Sequence, residues 1–123
     1  MQNTRILIVE DEGIQAMNTK LTLLRMGYEV LPIAISGKSA VELAEKHRPD
    51  LILMDIRLRG KMDGVEAAGI IRKNLTVPII FISAYVDEQT TERYRKTQPV
   101  AFLEKPVDEK ALGTKINEAL KGQ

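Results

Sequence analysis

Apolar residues along this chain fall into two alternating patterns. Short continuous runs recur at Ile6–Val9, Leu51–Met54 and Ile79–Ser83. Runs of this length suit strands covered on both faces, as in a parallel sheet. Tyr28–Ile33 and Val100–Glu104 are weaker strand candidates, and Pro32 suits the first of them to a sheet edge. Between the runs lie segments of helical period. Ile14, Met17, Leu21 and Leu24 form one apolar stripe, and Gly27 closes that helix. Val41, Leu43 and Ala44 face inward in a second helix that stops before Pro49. Asp63-x-x-Glu66 opens a third as a capping-box variant, with Ala67, Ile70 and Ile71 inward. The segment Asp87–Thr97 is almost wholly polar and predicts a weakly anchored fourth helix. A last helix begins near Asp108, buries Leu112, Ile116, Ala119 and Leu120, and is complete near Lys121.

The resulting order is βαβαβαβαβα. It predicts an α/β fold in which a parallel sheet carries helices on both faces through right-handed crossovers. With no linker, repeat or low-complexity stretch, residues 1–123 are expected to form one domain. In open sheets of this kind, chemistry sits beyond the carboxyl ends of the strands.

Those ends are polar. The first strand ends in Glu10-Asp11, the third in Asp55, the fourth in Ser83-Ala84 and the fifth in Glu104-Lys105-Pro106. Three carboxylates brought together repel one another unless one is protonated or a cation joins them. Oxygen ligands alone point to Mg2+, which needs only one or two carboxylates and keeps several waters. With Lys105 as a fixed positive charge and Ser83 as a hydroxyl, the pocket suits an incoming phosphoryl group. Asp55 would then be the nucleophile that forms an acyl phosphate.

Each residue also has a plain structural reading. Asp11 would serve as a helix N-cap, Ser83 as a turn residue, and Lys105 and Glu104 as solvated surface groups. Asp55 fits a cap or turn role poorly, because it ends an apolar run and Ile56 follows.

Composition narrows the choice. The chain has no Cys and the single His47, so thiol chemistry and His or Cys metal sites are excluded. His47 itself suits a surface position near a helix end. A net charge of +1 gives no argument for nucleic acid. No apolar run approaches the roughly 20 residues that span a bilayer, and the acidic start does not suit a signal peptide, so a cytoplasmic location without membrane contact is expected.

Taken together, ILIVEDE, PDLILMDI, the MDG at Met62–Gly64, PIIFISA and FLEKP, in this order, resemble the receiver domain of response regulators in two-component signalling. The resemblance covers nearly the whole chain. It implies a three-layer α/β/α sandwich of flavodoxin-like (βα)5 type, with five parallel strands in the order 2-1-3-4-5. It implies that Asp55 accepts a phosphoryl group from the phosphohistidine of a histidine kinase or phosphotransfer protein. Glu10, Asp11 and Asp55 would hold Mg2+ with the backbone carbonyl of Arg57, and Lys105 and Ser83 would bind the phosphoryl oxygens. Lys105-Pro106 matches a peptide bond that is cis in the family. Movement of Ser83 would let Phe102 turn inward. The face made by the fourth helical segment, the fifth strand and the last helix would then change its affinity for a downstream protein. The resemblance also allows a phosphorylation-dependent dimer. It implies a switch that catalyses its own phosphorylation and turns over no external substrate.

Two features depart from the common pattern. The segment IRLRGKMDG carries Arg59, Gly60 and Lys61 in a loop one residue longer than usual, next to the site. Arg57 and Tyr85, two residues past Asp55 and Ser83, are bulky and are expected to hinder water from attacking a phosphorylated Asp55. Rival readings are weaker. A haloacid-dehalogenase-type phosphatase needs a second Asp where Arg57 stands. A nucleotide or flavin module needs a glycine-rich turn where Glu10-Asp11-Glu12 stands. A pseudo-receiver, binding proteins without phosphorylation, is the remaining alternative.

Overall fold

Five strands carry the most apolar segments, and a computed structural model pairs them all in parallel in the order β2-β1-β3-β4-β5. The structure describes residues 3–84, 92–93, 95–96, 99 and 101–122. The strands are β1 (Arg5–Val9), β2 (Glu29–Val30), β3 (Leu51–Asp55), β4 (Ile79–Ser83) and β5 (Ala101–Glu104). The described helices are α1 (Gly13–Arg25), α2 (Gly37–His47), α3 (Gly64–Asn74) and α4 (Glu109–Lys121). The polar segment expected to form a further helix, Val100 and Tyr85 lie wholly or partly outside the described residues.

Strand alternation sorts the core into two layers. Leu7, Val9, Ile52, Met54, Ile79 and Phe81 point to one side and pack with Ala40, Ala44, Ala67 and Ile71 from α2 and α3. Ile6, Ile8, Leu51, Leu53, Ile80 and Ile82 point to the other and pack with Leu23 of α1 and with Leu112, Ile116 and Ala119 of α4. Because both faces are covered, β3 and β4 are buried at every position. This is why their runs are continuous instead of alternating.

Local chemistry sets the helix ends. Ser36 and Ser39 form a reciprocal capping box at α2, and Asp63 and Asp108 accept the Glu66 and Ala111 backbone N–H groups at the starts of α3 and α4. Gly27, with φ of 93°, follows the end of α1.

Three expectations need correction. Tyr28–Ile33 is not a continuous strand. Leu31 donates to the Ile6 carbonyl, but the next donor, to Ile8, is Ala34 and not Ile33. The ladder therefore gains a residue around Pro32, which has no N–H to give, and only Glu29–Val30 remains a strand at the sheet edge. The α1 stripe is also not the buried face. Ile14, Met17, Leu21 and Leu24 are exposed, Ile14 by 80%, while Ala16 and Leu23 are buried and Leu23 packs with the strands. Ala16 and Leu23 lie seven positions apart and share a face nearly opposite Ile14. On α3, Ile70 is only half-buried, and Val65 and Ala68 take up core positions instead.

Candidate functional site

Parallel pairing in near-perfect register delivers the polar strand ends to one edge. Val9 is paired with Met54, Asp55 with Ile82, and Ser83 with Glu104, so the residues that follow β1, β3 and β5 emerge side by side. The backbone N–H of Glu10 donates to the Ala34 carbonyl, which fixes the exit from β1. Glu10, Asp11 and Asp55 each offer a carboxylate oxygen within 4.8 Å of the others. Glu10 and Asp55 are both only 6% exposed, and Ser83 is fully buried.

Lys105 lies at the centre of this cluster. Its Nζ donates to Glu10 Oε1 at 2.7 Å, to Asp55 Oδ2 at 2.8 Å and to Gln15 Oε1 at 2.5 Å. Its backbone N–H donates to the Ser83 carbonyl, tying it to the end of β4, and the Lys105–Pro106 peptide bond is cis. Burial works to lower the Lys105 pKa, but hydrogen bonds to Asp55 and Glu10 outweigh it and hold the ammonium above its ordinary value. Glu104 is exposed, in keeping with its reading as a solvated residue.

Asp55 does take a turn role, contrary to expectation. Its Oδ1 accepts the Arg57 N–H at 3.0 Å, as in an Asx turn, while Oδ2 faces Lys105. One carboxylate thus shapes the loop and faces the pocket. Asp11 is not a cap. Glu12 occupies the N-cap of α1, and Asp11 Oδ2 instead accepts the Arg59 N–H at 3.0 Å and lies 3.4 Å from Arg59 Nε. Neither the Gln15–Lys105 nor the Arg59–Asp11 contact has a signal in the sequence. Gln15 stands on the first turn of α1, and Arg59 comes from the lengthened loop. The pocket opens into a groove of about 590 Å³ that runs past Asn18 and Thr22 to Glu109 and Leu112.

Burial, foremost, pushes the Asp55 carboxyl up from 3.8 to about 6; Glu10 adds to the rise and Lys105 opposes it. The consequence for stability follows from linkage. The folded chain holds the Asp55 proton more tightly than the unfolded chain, so this group favours folding most below pH 4, and that contribution is lost as pH rises through about 6. Asp55→Asn removes the charge. In metal-free buffer it should stabilise the protein at pH 7 by on the order of 1–3 kcal/mol, with the gain fading toward pH 4. Denaturant midpoints across that range check this, and a difference independent of pH would contradict it.

The residues also fit a hard cation. The donor set is all oxygen, three carboxylates share one small volume, and their mutual repulsion is only partly met by Lys105. An acidic pocket, a buried hydroxyl residue and a lysine at the C-terminal edge of a 2-1-3-4-5 sheet define a known arrangement. The family model for the response regulator receiver domain matches residues 6–117. The chain belongs to the response regulator receiver family.

Relatives and solved structures agree with this assignment. The transcriptional regulatory protein PdtaR of Mycobacterium tuberculosis is 39% identical over 102 residues, covering 83% of this chain and 49% of that protein. The phyllosphere-induced regulator PhyR of Methylorubrum extorquens is 35% identical over 118 residues, covering 95% of this chain and 43% of its own length. The receiver thus spans just under half the length of these two curated relatives. Its fold superimposes on the signal receiver domain of a modulated diguanylate cyclase from Desulfovibrio desulfuricans G20 with a TM-score of 0.93 and 36% identity, covering 98% and 96% of the two chains. Receivers take part in two-component signalling, where they meet phosphodonors such as kinases and downstream effectors, and they bind Mg2+ at an acidic pocket. Receiver domains are generally not turnover enzymes. Among the described residues, no helix is long and apolar enough to cross a membrane.

Proposed function

We propose that this receiver takes one phosphoryl group on Asp55 from the phosphohistidine of a kinase or phosphotransfer protein, and that the phosphorylated form changes its protein contacts. The observation that carries this reading is the Lys105 ammonium set between the buried carboxylates of Asp55 and Glu10 at the open end of the sheet.

With a pKa near 6, Asp55 is mainly ionised at neutral pH and can act as a nucleophile. A carboxylate oxygen of Asp55 bonds to phosphorus, the donor P–N bond breaks, and the imidazole leaves with the electron pair and gains a proton. When bound by Glu10, Asp11, Asp55 and the Arg57 carbonyl, Mg2+ would neutralise the phosphoryl oxygens. Lys105 supplies a second positive charge from the β5 side. Ser83 ends β4, where its carbonyl accepts the Lys105 backbone N–H, and in this reading its hydroxyl would hydrogen-bond the product. Phe102 is half-buried against the layer beneath α2 and α3, and in this reading it would respond when Ser83 moves. Arg57 is exposed at the rim, consistent with shielding the acyl phosphate from water.

The exposed stripe on α1 supports a protein phosphodonor. It begins at Ile14, three residues after Asp11, and continues through Met17, Leu21 and Leu24. Exposed apolar side chains that adjoin a reactive pocket favour a partner that buries them as it delivers its group.

Incubation with acetyl phosphate tests the reading. One phosphoryl unit should be gained in Mg2+ and none in excess chelator. Equal gain in both would count against the acidic pocket as the catalyst. The lengthened loop makes a separate prediction. Arg59 places a guanidinium on Asp11, so Arg59→Ala should tighten Mg2+ binding by on the order of a few-fold, the modest size expected of an exposed pair. Isothermal titration in low salt measures this, and unchanged or weaker binding would contradict it.

A further inference from the structure

We propose that Gln15 is a positioning residue for phosphoryl capture, holding the Lys105 ammonium toward Asp55 through an acceptor that belongs to neither the phosphoryl site nor the cation site. This rests on the reading of Asp55 as phosphoacceptor.

Lys105 has three N–H donors and uses all three. Two go to Glu10 and Asp55, members of the carboxylate set that can hold a cation. The third goes to Gln15 Oε1, which among the described residues is the one acceptor of this ammonium outside that set. The amide is oriented by its own chemistry. An ammonium can only donate and a carboxylate can only accept. Gln15 therefore turns its oxygen to Lys105 and its Nε2 to Glu12 Oε2 at 3.0 Å. The Glu12 backbone N–H in turn donates to Glu10 Oε2 at 3.2 Å, and Glu10 Oε1 receives Lys105. These four residues close a ring of hydrogen bonds that anchors the lysine to the first turn of α1.

The residue type matters. Leucine at this position would leave the third Lys105 donor without its partner. Glutamate would keep the acceptor but add a fourth carboxylate to a pocket that must receive an anion. Glutamine supplies an acceptor without charge. When Glu10 and Asp55 are engaged elsewhere, Gln15 still directs the ammonium at Asp55 and leaves its other two N–H groups for phosphoryl oxygens.

Beryllofluoride with Mg2+ mimics the phosphoryl group and reads this directly. Its affinity should be measured by NMR titration for the wild type, Gln15→Leu, Lys105→Ala and the double variant. Gln15→Leu should weaken binding about three- to tenfold, the effect of losing one hydrogen bond to a partly solvated ammonium. Its affinity for Mg2+ alone should stay within about twofold, a split that a general disturbance of α1 would not give. In the Lys105→Ala background the same change should add nothing, because Gln15 acts through the lysine. Gln15→Ala provides a second truncation with high helix propensity should leucine disturb folding. Wild-type affinity in both truncations would overturn the inference, as would an undiminished loss in the Lys105→Ala background. A wild-type protein that binds no beryllofluoride would overturn the Asp55 reading itself, and this inference with it.

Discussion

Gly64→Ala is expected to destabilise the protein by about 3 kcal/mol or more. A Cβ on Gly64 would stand 2.0 Å from the Asp55 carbonyl oxygen and 2.9 Å from the Ile56 Cα. Both are backbone atoms of a buried strand and its exit, so no flexible side chain can move aside. The close approach is held by the Gly64 N–H, which donates to the Ile56 carbonyl at 2.8 Å. To admit a methyl group, α3 must move away from β3. That opens the layer in which Val65, Ala67, Ala68 and Ile71 are buried, and it also displaces the loop that aims Asp55. Gly13→Ala is the natural control, since a Cβ there meets nothing within 4 Å. Chemical denaturation of both variants checks the prediction, and a Gly64→Ala midpoint equal to that of the control would contradict it.

Asp55→Asn should take up no phosphoryl group from acetyl phosphate or from a phosphohistidine donor. The amide has the shape of the carboxylate and can still accept the Arg57 N–H, so the loop should keep its form. What is lost is the anionic oxygen that must bond to phosphorus. The same variant is expected to be more stable than the wild type at pH 7, so loss of uptake cannot be assigned to unfolding. Asp11→Asn should behave differently, slowing uptake while leaving the acceptor in place. Intact mass over a time course separates the two. Retained uptake in Asp55→Asn, at the wild-type rate, would move the acceptor elsewhere.

Much of this was legible in the residues. The continuous apolar runs announced strands buried on both faces, and the strand-end residues Glu10, Asp11, Asp55 and Lys105 do converge. The resemblance to receivers carried the strand order, and the proposed residue roles come from it as well. What escaped has physical reasons. Periodicity finds an apolar stripe on α1 but cannot say which of two faces meets the sheet. The face with Ala16 and Leu23 is the buried one, and the longer stripe stays outside. Pro32 signalled an edge strand, but not the added residue that moves the ladder from Ile33 to Ala34. Gly64 was visible in the MDG of the resemblance, yet its need for space depends on an Asp55 carbonyl that only the fold brings near. Gln15 and Arg59 are ordinary polar residues in sequence. Their contacts with Lys105 and Asp11 span 90 and 48 positions, beyond any local signal.

Borohydride reduction of the acetyl-phosphate-treated protein, followed by peptide mapping, tests the central claim most directly, because it converts an aspartyl phosphate to homoserine at the modified position. Homoserine at position 55, formed only when Mg2+ was present, is the predicted result. Homoserine elsewhere, or none in a protein that has gained a phosphoryl unit, would contradict it.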